Sequence, residues 1–440
     1  MLSFTSDVND NNTQESLFKK SAEGVSGHGC SYMPRVSQAK GWRNKEMFAQ
    51  IDKIITAIDN AVWGLPLICL IMATGIFLTA RLGLVQIRHL GKAFKFMFKD
   101  EEDGSGEVTS FGALCTALSA TIGTGNITGV ATAIALGGPG ALFWMVIAAF
   151  FGMATKYAEG LLAIKYRTID EEGHVLGGPF YYIENGMGKK WTWLAKIFAF
   201  FGAGVGLFGI GTFTQVNSIA SAVKNFFDPD MAHTVSLLGG NYSWATVIAG
   251  LFLTVCVGLV VLGGIQRIAK VSEIIVPFMA VLYVGLAVII IITNITDVPA
   301  ALASIVKSAF TGSALAGGAV GSMFVAMQKG VARGIFSNES GLGSAPIAAA
   351  AARTKEPVRQ GLVSMTGTFI DTIVICTMTG LSIVIAGSWL NPELEGVAIT
   401  MDAFQKGLPF PSFVATFSLM LCLVFFAFTT ILGWNYYGER

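Results

Sequence analysis

Two glycines flanked by a hydroxyl and an amide side chain interrupt an apolar stretch of the sequence at Gly123-Thr124-Gly125-Asn126. Because each glycine costs about 1 kcal/mol relative to alanine inside a helix, this sequence predicts a helix break. Unwound backbone frees N–H groups for a carboxylate and C=O groups for an amine or a hard cation such as sodium. The helix that follows would direct its positive dipole end toward an anion. Small residues for close helix packing are the alternative, but packing does not explain Asn126.

Polar side chains also lie inside two later apolar stretches. Gln215 and Asn217 are expected either to join helices or to line a cavity. Asp371 is a candidate for ion coupling, because an acid within the membrane marks a functional site by default. The alternatives for Asp371 are a neutral hydrogen-bonded acid or a partner of Lys329 or Arg333.

Two further groups of polar residues lie near the ends of apolar stretches. Thr429 and Thr430, followed by Trp434, suit oxygen ligands for sodium and an aromatic lid over a small ligand. An interfacial aromatic belt would explain the neighbouring tyrosines but not the paired hydroxyls. Lys156 and Glu159 are expected to pair with each other or to extend toward the interface.

Sequence signatures of enzymes and metal centres are absent. Residues 123–129 do not match a dinucleotide fingerprint, and there is no phosphate-binding loop, HExxH motif or Ser/His/Asp set. The six cysteines and four histidines are scattered without metal-ligand spacing. A net charge of +1 gives no general attraction to nucleic acid. We therefore expect neither an enzyme nor a cofactor.

The elements that must position these residues are membrane-spanning helices. The chain is 53% hydrophobic and 13% charged, whereas a soluble domain carries about 25% charged residues. About nine stretches approach the roughly 20 residues that span a bilayer. They are 60–80, two within 108–155 divided by a glycine/proline turn at 137–140, 197–223, 244–264, 274–294, 312–328, 361–387 and 410–433. Residues 345–352 are too short to cross alone.

Basic residues concentrate on alternate loops, beginning with residues 81–99, which predicts that these loops face the cytoplasm. The chain is therefore expected to be a multi-pass protein of the plasma (inner) membrane, with its first span running from outside to inside. Residues 1–46 are polar without an apolar period and are predicted to be a disordered tail, followed by a transmembrane domain at 47–440.

Residues 121–135 and 334–348 resemble each other, since both place glycine, hydroxyl and amide residues inside apolar sequence. Their spans lie an odd number of crossings apart, which is typical of inverted repeats. Shared glycine richness alone is the alternative.

Four longer motifs resemble the alanine/glycine:cation symporter family, also called sodium:alanine symporters. They are TIGTGNITGV at 121–130, LGGPGA at 136–141, RGIFSNESGLGSAP at 333–346 and TILGWNYYG at 430–438. The resemblance runs from about residue 50 to the end. It implies an all-α polytopic membrane protein with a LeuT-like fold, in which one extra N-terminal helix precedes a five-plus-five inverted repeat.

The same resemblance implies specific sites. Substrate would be bound by Gly123, Thr124, Gly125, Asn126, Gln215, Thr430, Ile431, Gly433 and Trp434. Sodium would be bound near Thr121, Gly123, Thr429 and Thr430. Ser337, Asn338, Glu339 and Gly341 would form a second helix break or a gate. Gly317-Gly318 to Gly321 is an alternative second break.

The function that the resemblance implies is symport of alanine or glycine with sodium across the lipid bilayer by alternating access. The chain ends at Arg440, just after the eighth core helix, so a C-terminally truncated fold is expected. A truncated non-transporting remnant and a proton-coupled amino acid transporter are the alternatives. A channel is disfavoured because the few charges within the spans do not form a continuous polar pore.

Overall fold

The computed structural model describes residues 50, 52–58, 62, 64–99, 101, 104–171, 173–237, 240–311 and 319–440. The predicted disordered tail and the alternative break at Gly317-Gly318 lie outside these residues. Contacts divide the chain after Leu67, and apart from the first three residues of the first helix described, the features below belong to the second unit, which begins at Ile68. The described part is mainly helical, as predicted, with two short antiparallel hairpins.

Among the described residues from Leu65 onward, ten α-helices, numbered in chain order, precede residue 262. They are α1 Leu65–Arg81, α2 Val85–Arg88, α3 Leu90–Met97, α4 Ser110–Thr121, α5 Val130–Gly137, α6 Gly140–Lys165, α7 Pro179–Met187, α8 Thr192–Leu207, α9 Ile210–Phe227 and α10 Trp244–Val261. A π-helical segment, Gly125–Gly129, leads directly into α5 and is called the first π-turn. Gly138 has a φ of 70°, so glycine allows the sharp turn between α5 and α6.

Eight further α-helices follow. They are α11 Gly264–Thr293, α12 Val298–Thr311, α13 Ala319–Asn338, α14 Ala345–Ala350, α15 Pro357–Thr368, α16 Thr377–Ala386, α17 Val397–Gly407 and α18 Ser412–Glu439. A second π-turn, Phe369–Cys376, joins α15 to α16 in one continuous rod. Within the described residues, six helices are long and apolar enough to cross a membrane.

The two hairpins connect helices at their ends. Strands β1 Thr168–Ile169 and β2 Val175–Leu176 follow α6, and strands β3 Thr234–Leu237 and β4 Gly240–Ser243 join α9 to α10.

The carboxylate of Asp228 anchors the second hairpin. It accepts the Ser243 hydroxyl at 2.5 Å and the Ala232 N–H at 2.8 Å. These hydrogen bonds, that of Ser243 first, hold the pKa of Asp228 below its usual range.

Hydropathy located the apolar stretches better than the helix ends. The predicted span at 197–223 lies within a longer candidate span, Lys189–Phe227, in which Gly209 takes a φ of 59° between α8 and α9. The predicted loop at 265–273 is instead the start of α11, and Arg267 donates to the Leu259 carbonyl near the end of α10 at 2.8 Å. The predicted 312–328 span was wrong at its end, since α13 continues to Asn338. The apolar stretches end in the sequence at charged residues, but the helices continue past them. A long charged side chain can extend toward polar surroundings while its backbone stays in the helix.

The two similar stretches each contain a helix end, an irregular turn and a new helix, but only the first contains a π-turn. Residues 121–135 contain the end of α4, an irregular turn, the first π-turn and most of α5. Residues 334–348 contain the end of α13, an irregular turn and the start of α14.

Candidate functional site

The first helix break lies one residue earlier than predicted and is covered by two amide side chains. Helix α4 ends at Thr121, and Ile122 takes an extended conformation with ψ 95°. The Gly123 N–H donates to Asn126 Oδ1 at 2.9 Å, and the Thr124 N–H donates to Gln215 Oε1 at 3.3 Å. The N–H groups freed by the break are therefore held in place by side chains that an anionic ligand could displace.

Thr430 faces this break from α18. Its Oγ1 lies 3.2 Å from the Ile122 carbonyl and 2.8 Å from the Phe426 carbonyl, and one hydroxyl proton can serve only one of them at a time. A Cβ on Gly123 would stand 2.5 Å from Thr430 Oγ1, so only glycine permits this approach. The break therefore gathers a hydroxyl and carbonyl oxygens, which are ligands that a hard cation prefers.

The other two predicted sodium ligands direct their hydroxyls elsewhere. Thr429 Oγ1 lies 3.0 Å from the carbonyls of Phe425 and Phe426 and 3.4 Å from Met279 Sδ on α11. Thr121 Oγ1 donates to the Leu118 carbonyl of its own helix at 3.3 Å.

Space remains beside the break. A Cβ on Gly125 would meet nothing within 4 Å, and Gly125 is only partly buried. The Trp434 indole lies over Gly211 of α9, where no side chain would fit. A Cβ on Gly433 would stand 2.5 Å from the Ala120 nitrogen, so α18 packs closely against α4. Ile431 is buried on the same helix.

Asp371 connects the break to the second π-turn and to the end of α13. Its Oδ1 accepts from Asn126 Nδ2 at 2.8 Å, and its Oδ2 accepts from Ser337 Oγ at 2.9 Å. Its Oδ2 also accepts from Thr372 Oγ1 at 2.6 Å. The carboxyl group is fully buried and its hydrogen-bond partners are neutral, so the suggested pairing with Lys329 or Arg333 is not found.

The residues from Ser337 to Gly341 end α13 and begin an irregular turn. Asn338 donates to Thr372 Oγ1 at 3.0 Å, and Ser340 shares a hydrogen bond with Thr368 Oγ1 at 2.9 Å. Glu339 takes a φ of 56°, which is uncommon for a residue with a side chain and occurs where the surroundings enforce it.

Lys156 and Glu159 do not behave as predicted. They are buried and bind the backbone of this turn: Lys156 Nζ donates to the Asn338 carbonyl at 2.8 Å, and Glu159 Oε1 accepts the Gly343 N–H at 3.2 Å. Among the described residues, no ion pair within 4.0 Å joins them. The sequence did not indicate that both residues bind the backbone of a distant turn. Charged residues within a membrane span are almost always paired or functional, and this could have marked them as site candidates.

The structure brings together some predicted site residues and not others. Gln215, Asn126 and Thr430 meet at the first break, whereas Asn217 is exposed on α9. Cys376 was not foreseen: its Sγ lies 3.3 Å from Asn126 Nδ2. The i, i+5 spacing from Asp371 could have indicated it only if a π-helical turn had been expected.

Comparisons with known proteins point in one direction. A family model described as the sodium:alanine symporter family matches residues 48–440. A Haemophilus influenzae protein named as an uncharacterized transporter is 56% identical over 391 residues, 89% of this chain and 82% of that protein. The sodium/alanine symporter AgcS of Methanococcus maripaludis is 48% identical over 397 residues, 88% of this chain and 82% of AgcS. The probable sodium/glutamine symporter GlnT of Bacillus subtilis is 39% identical over 391 residues, 88% of this chain and 76% of GlnT.

Proposed function

Because the chain belongs to the sodium:alanine symporter family, we propose that it carries alanine or glycine across the membrane together with sodium. Members of this family are transporters rather than enzymes, and the apolar helices are those of a multi-pass membrane protein. The observation that carries the proposal is the helix break at Ile122–Thr124, which faces the Thr430 hydroxyl and opens beside Gly125.

The substrate carboxylate is assigned to the N–H groups of the break. The Gly123 and Thr124 N–H groups now donate to Asn126 Oδ1 and Gln215 Oε1. A carboxylate is a stronger acceptor than an amide oxygen, because hydrogen bonds to ionised groups are about twice as strong. The substrate displaces these amide side chains and occupies the space beside Gly125.

The size of the substrate is limited by Trp434, with Ile431 and Gly433 as its neighbours on α18. Because the indole rests on Gly211, it cannot move toward α9 to make room for a larger side chain. One relative is named as a probable sodium/glutamine symporter. We therefore expect differences in substrate size between members of the family to arise from residues that line this space.

Sodium is assigned to the carbonyl oxygens of the break and the Thr430 hydroxyl. The hydroxyl proton of Thr430 can turn to the Phe426 carbonyl, which leaves an oxygen lone pair for the cation. Thr121, Gly123 and Thr429 complete this site after a rotation of the two flanking hydroxyls. Asp371 is the proposed coupling acid. Its carboxyl group accepts a hydrogen bond from Asn126, which in turn accepts one from the break, so its negative charge lies near the proposed sodium site.

Transport proceeds by alternating access in the plasma membrane, within a LeuT-like inverted repeat preceded by α1. The first break binds sodium and then the amino acid, and the turn at Ser337 to Gly341 closes the predicted cytoplasmic side. The packing of this turn on α6 through Lys156 and Glu159 supports its assignment as a gate.

Uptake of radiolabelled alanine into proteoliposomes tests the proposal. Replacing external sodium by potassium, at fixed pH, is expected to lower uptake at least about tenfold, since the site lacks one of its two ligands.

Unlabelled glycine is expected to compete with alanine for uptake by the unmodified chain. Glutamine is expected to compete only in the Trp434→Leu variant. Asp371→Asn is expected to weaken the sodium dependence. Equal uptake in sodium and potassium would contradict the coupling, and uptake driven by a proton gradient alone would favour the proton-coupled alternative.

A further inference from the structure

Three charged side chains lie buried between α6 and the segment Asn338–Ser344, called the inner turn. Lys156, Glu159 and Glu339 are 3%, 7% and 4% exposed. Charged groups are rarely buried to this extent unless they are paired or hydrogen-bonded, because removing a charge from water is costly. Their contacts therefore indicate what the cluster does.

Each charge is used to hold the inner turn. Lys156 Nζ donates to the Asn338 carbonyl at 2.8 Å, and Glu159 Oε1 accepts the Gly343 N–H at 3.2 Å. Glu339 Oε2 accepts the Ser344 hydroxyl. In the part of the chain that the structure describes, neither acid lies within 4.0 Å of the lysine ammonium.

Three polar atoms beside this contact lack a hydrogen-bond partner among the described residues. They are Glu159 Oε2, Thr155 Oγ1 and Tyr437 Oη, on residues that are each more than nine-tenths buried. Thr155 and Glu159 are four residues apart on α6 and share one face of it. A buried acceptor without a partner costs about 1–3 kcal/mol, and more when it is charged. A proton on Glu159 Oε2 would remove the charge and give a donor for a neighbouring hydroxyl.

The charges of the cluster do not balance without a proton. Two carboxylates face one ammonium, and Asp371 adds a further repulsion on Glu339. Two phenols also face the acids: Tyr182 from α7 interacts with Glu159, and Tyr437 from α18 interacts with both acids. One bound proton leaves one of the two glutamates ionised and makes the three residues Lys156, Glu159 and Glu339 neutral together, which is the form that burial favours.

We propose that Lys156, Glu159 and Glu339 form a proton-binding site that holds one proton while the inner turn lies against α6. When the inner turn moves away, water reaches the two acids and the proton leaves to the predicted cytoplasmic side. None of its three residues is among the proposed substrate or sodium ligands, although Lys156 lines the same small cavity as Thr121. The proposal rests on the alternating access proposed above. The closed form then binds one proton more than the open form, so closure is favoured as pH falls and lost as pH rises.

Hydrogen exchange of the unmodified chain tests this without transport. The purified protein is held in sodium-free, substrate-free buffer, and the rate of amide hydrogen exchange is measured for peptides that cover residues 338–344. Protection is the intrinsic exchange rate at each pH divided by the observed rate. A difference of one proton predicts that protection rises up to about tenfold per pH unit as pH falls from about 7 toward about 5, because the acids regain an ordinary pKa of about 4.3 once water reaches them. Protection that is independent of pH overturns the proposal. Because nothing is transported, a failure of alanine uptake leaves this result unaffected.

Two variants assign the proton to the cluster. Glu159→Gln and Glu339→Gln keep the shape of the acids and imitate the protonated form, so protection of the inner turn is expected to become weakly dependent on pH. Glu184→Gln removes an exposed acid on α7 and is expected to keep the dependence of the unmodified chain. If the pH dependence of protection is unchanged in both Gln variants, the assignment of the proton to Glu159 and Glu339 is overturned. If added sodium changes the protection of the inner turn and pH does not, the bound ion is sodium and the proposal of a proton is overturned.

Discussion

At the scale of single residues, Asn126 does more than its position in the sequence indicated. Its side-chain oxygen accepts the Gly123 N–H, and its nitrogen donates to Asp371, 245 positions later. The sequence marked Asn126 and Asp371 separately, because each is polar within apolar surroundings. It could not pair them, since only the packing of the first π-turn against the second brings them together.

Gly123→Ala tests the close approach of α18 to the break. A methyl group there would stand 2.5 Å from Thr430 Oγ1, so either the break or α18 must shift, and the proposed sodium ligands separate. We expect sodium-dependent alanine uptake to fall at least about tenfold, because misplacement by about 1 Å can cost a hundredfold.

Gly129→Ala is the matched control for this change. It lies at the end of the first π-turn, which follows the break, and a Cβ there meets nothing within 4 Å. Uptake by Gly129→Ala should stay close to that of the unmodified chain. Normal uptake by Gly123→Ala at the same expression level would show that the approach of Thr430 is dispensable.

At the scale of elements, hydropathy was sufficient to find most long helices but not their ends or their packing. The helices α12 and α17 were missed because they are short and lie next to polar loops. Close helix contacts depend on glycines whose partners lie far away in sequence. A Cβ on Gly330 of α13 would collide with the Ala141 carbonyl of α6, whereas one on Gly285 of α11 meets nothing within 4 Å.

Gly330→Ala and Gly285→Ala are therefore expected to have opposite effects on stability. Alanine favours a helix interior by about 1 kcal/mol over glycine, so Gly285→Ala should keep or slightly raise the melting temperature of the purified protein. Gly330→Ala should lower it, because overpacking costs about 1–3 kcal/mol and the clash involves backbone. Tryptophan fluorescence during heating in detergent measures both. A higher melting temperature for Gly330→Ala would contradict the α6–α13 contact.

At the scale of the whole molecule, one end is joined by arginines that bind backbone carbonyls. Arg167, just after α6, donates to the carbonyls of Ser105, Ala352 and Thr354 at 2.6–2.7 Å. Arg440 pairs with Glu107 at 2.8 Å. Arg167 was predicted to face the cytoplasm from the distribution of charge. Its contacts could not be predicted, because its acceptors are peptide groups that carry no sequence signal.

Arg167→Lys is expected to loosen this end. Lysine keeps the charge, but its single ammonium cannot reach carbonyls on both sides as the planar guanidinium does. Hydrogen bonds to charged groups contribute about 1.5–3 kcal/mol each, so the melting temperature should fall and proteolysis near residues 104–108 should increase. Arg353→Lys, the same substitution at an exposed site, serves as the control. Equal stability of the two variants would contradict the clamping role of Arg167.

The two π-turns have a consequence for how the sequence can change over evolution. In each of them the backbone hydrogen bonds join residues five positions apart, one more than in an α-helix. The two π-turns meet through Asn126, Asp371 and Cys376. Losing one residue from either turn would restore an ordinary α-helix, which is no less stable. It would also rotate everything beyond that point by about 100°, since an α-helix has 3.6 residues per turn. Single-residue deletions here should therefore be selected against even where the segment itself stays helical, and the length of these segments is as informative as their residues.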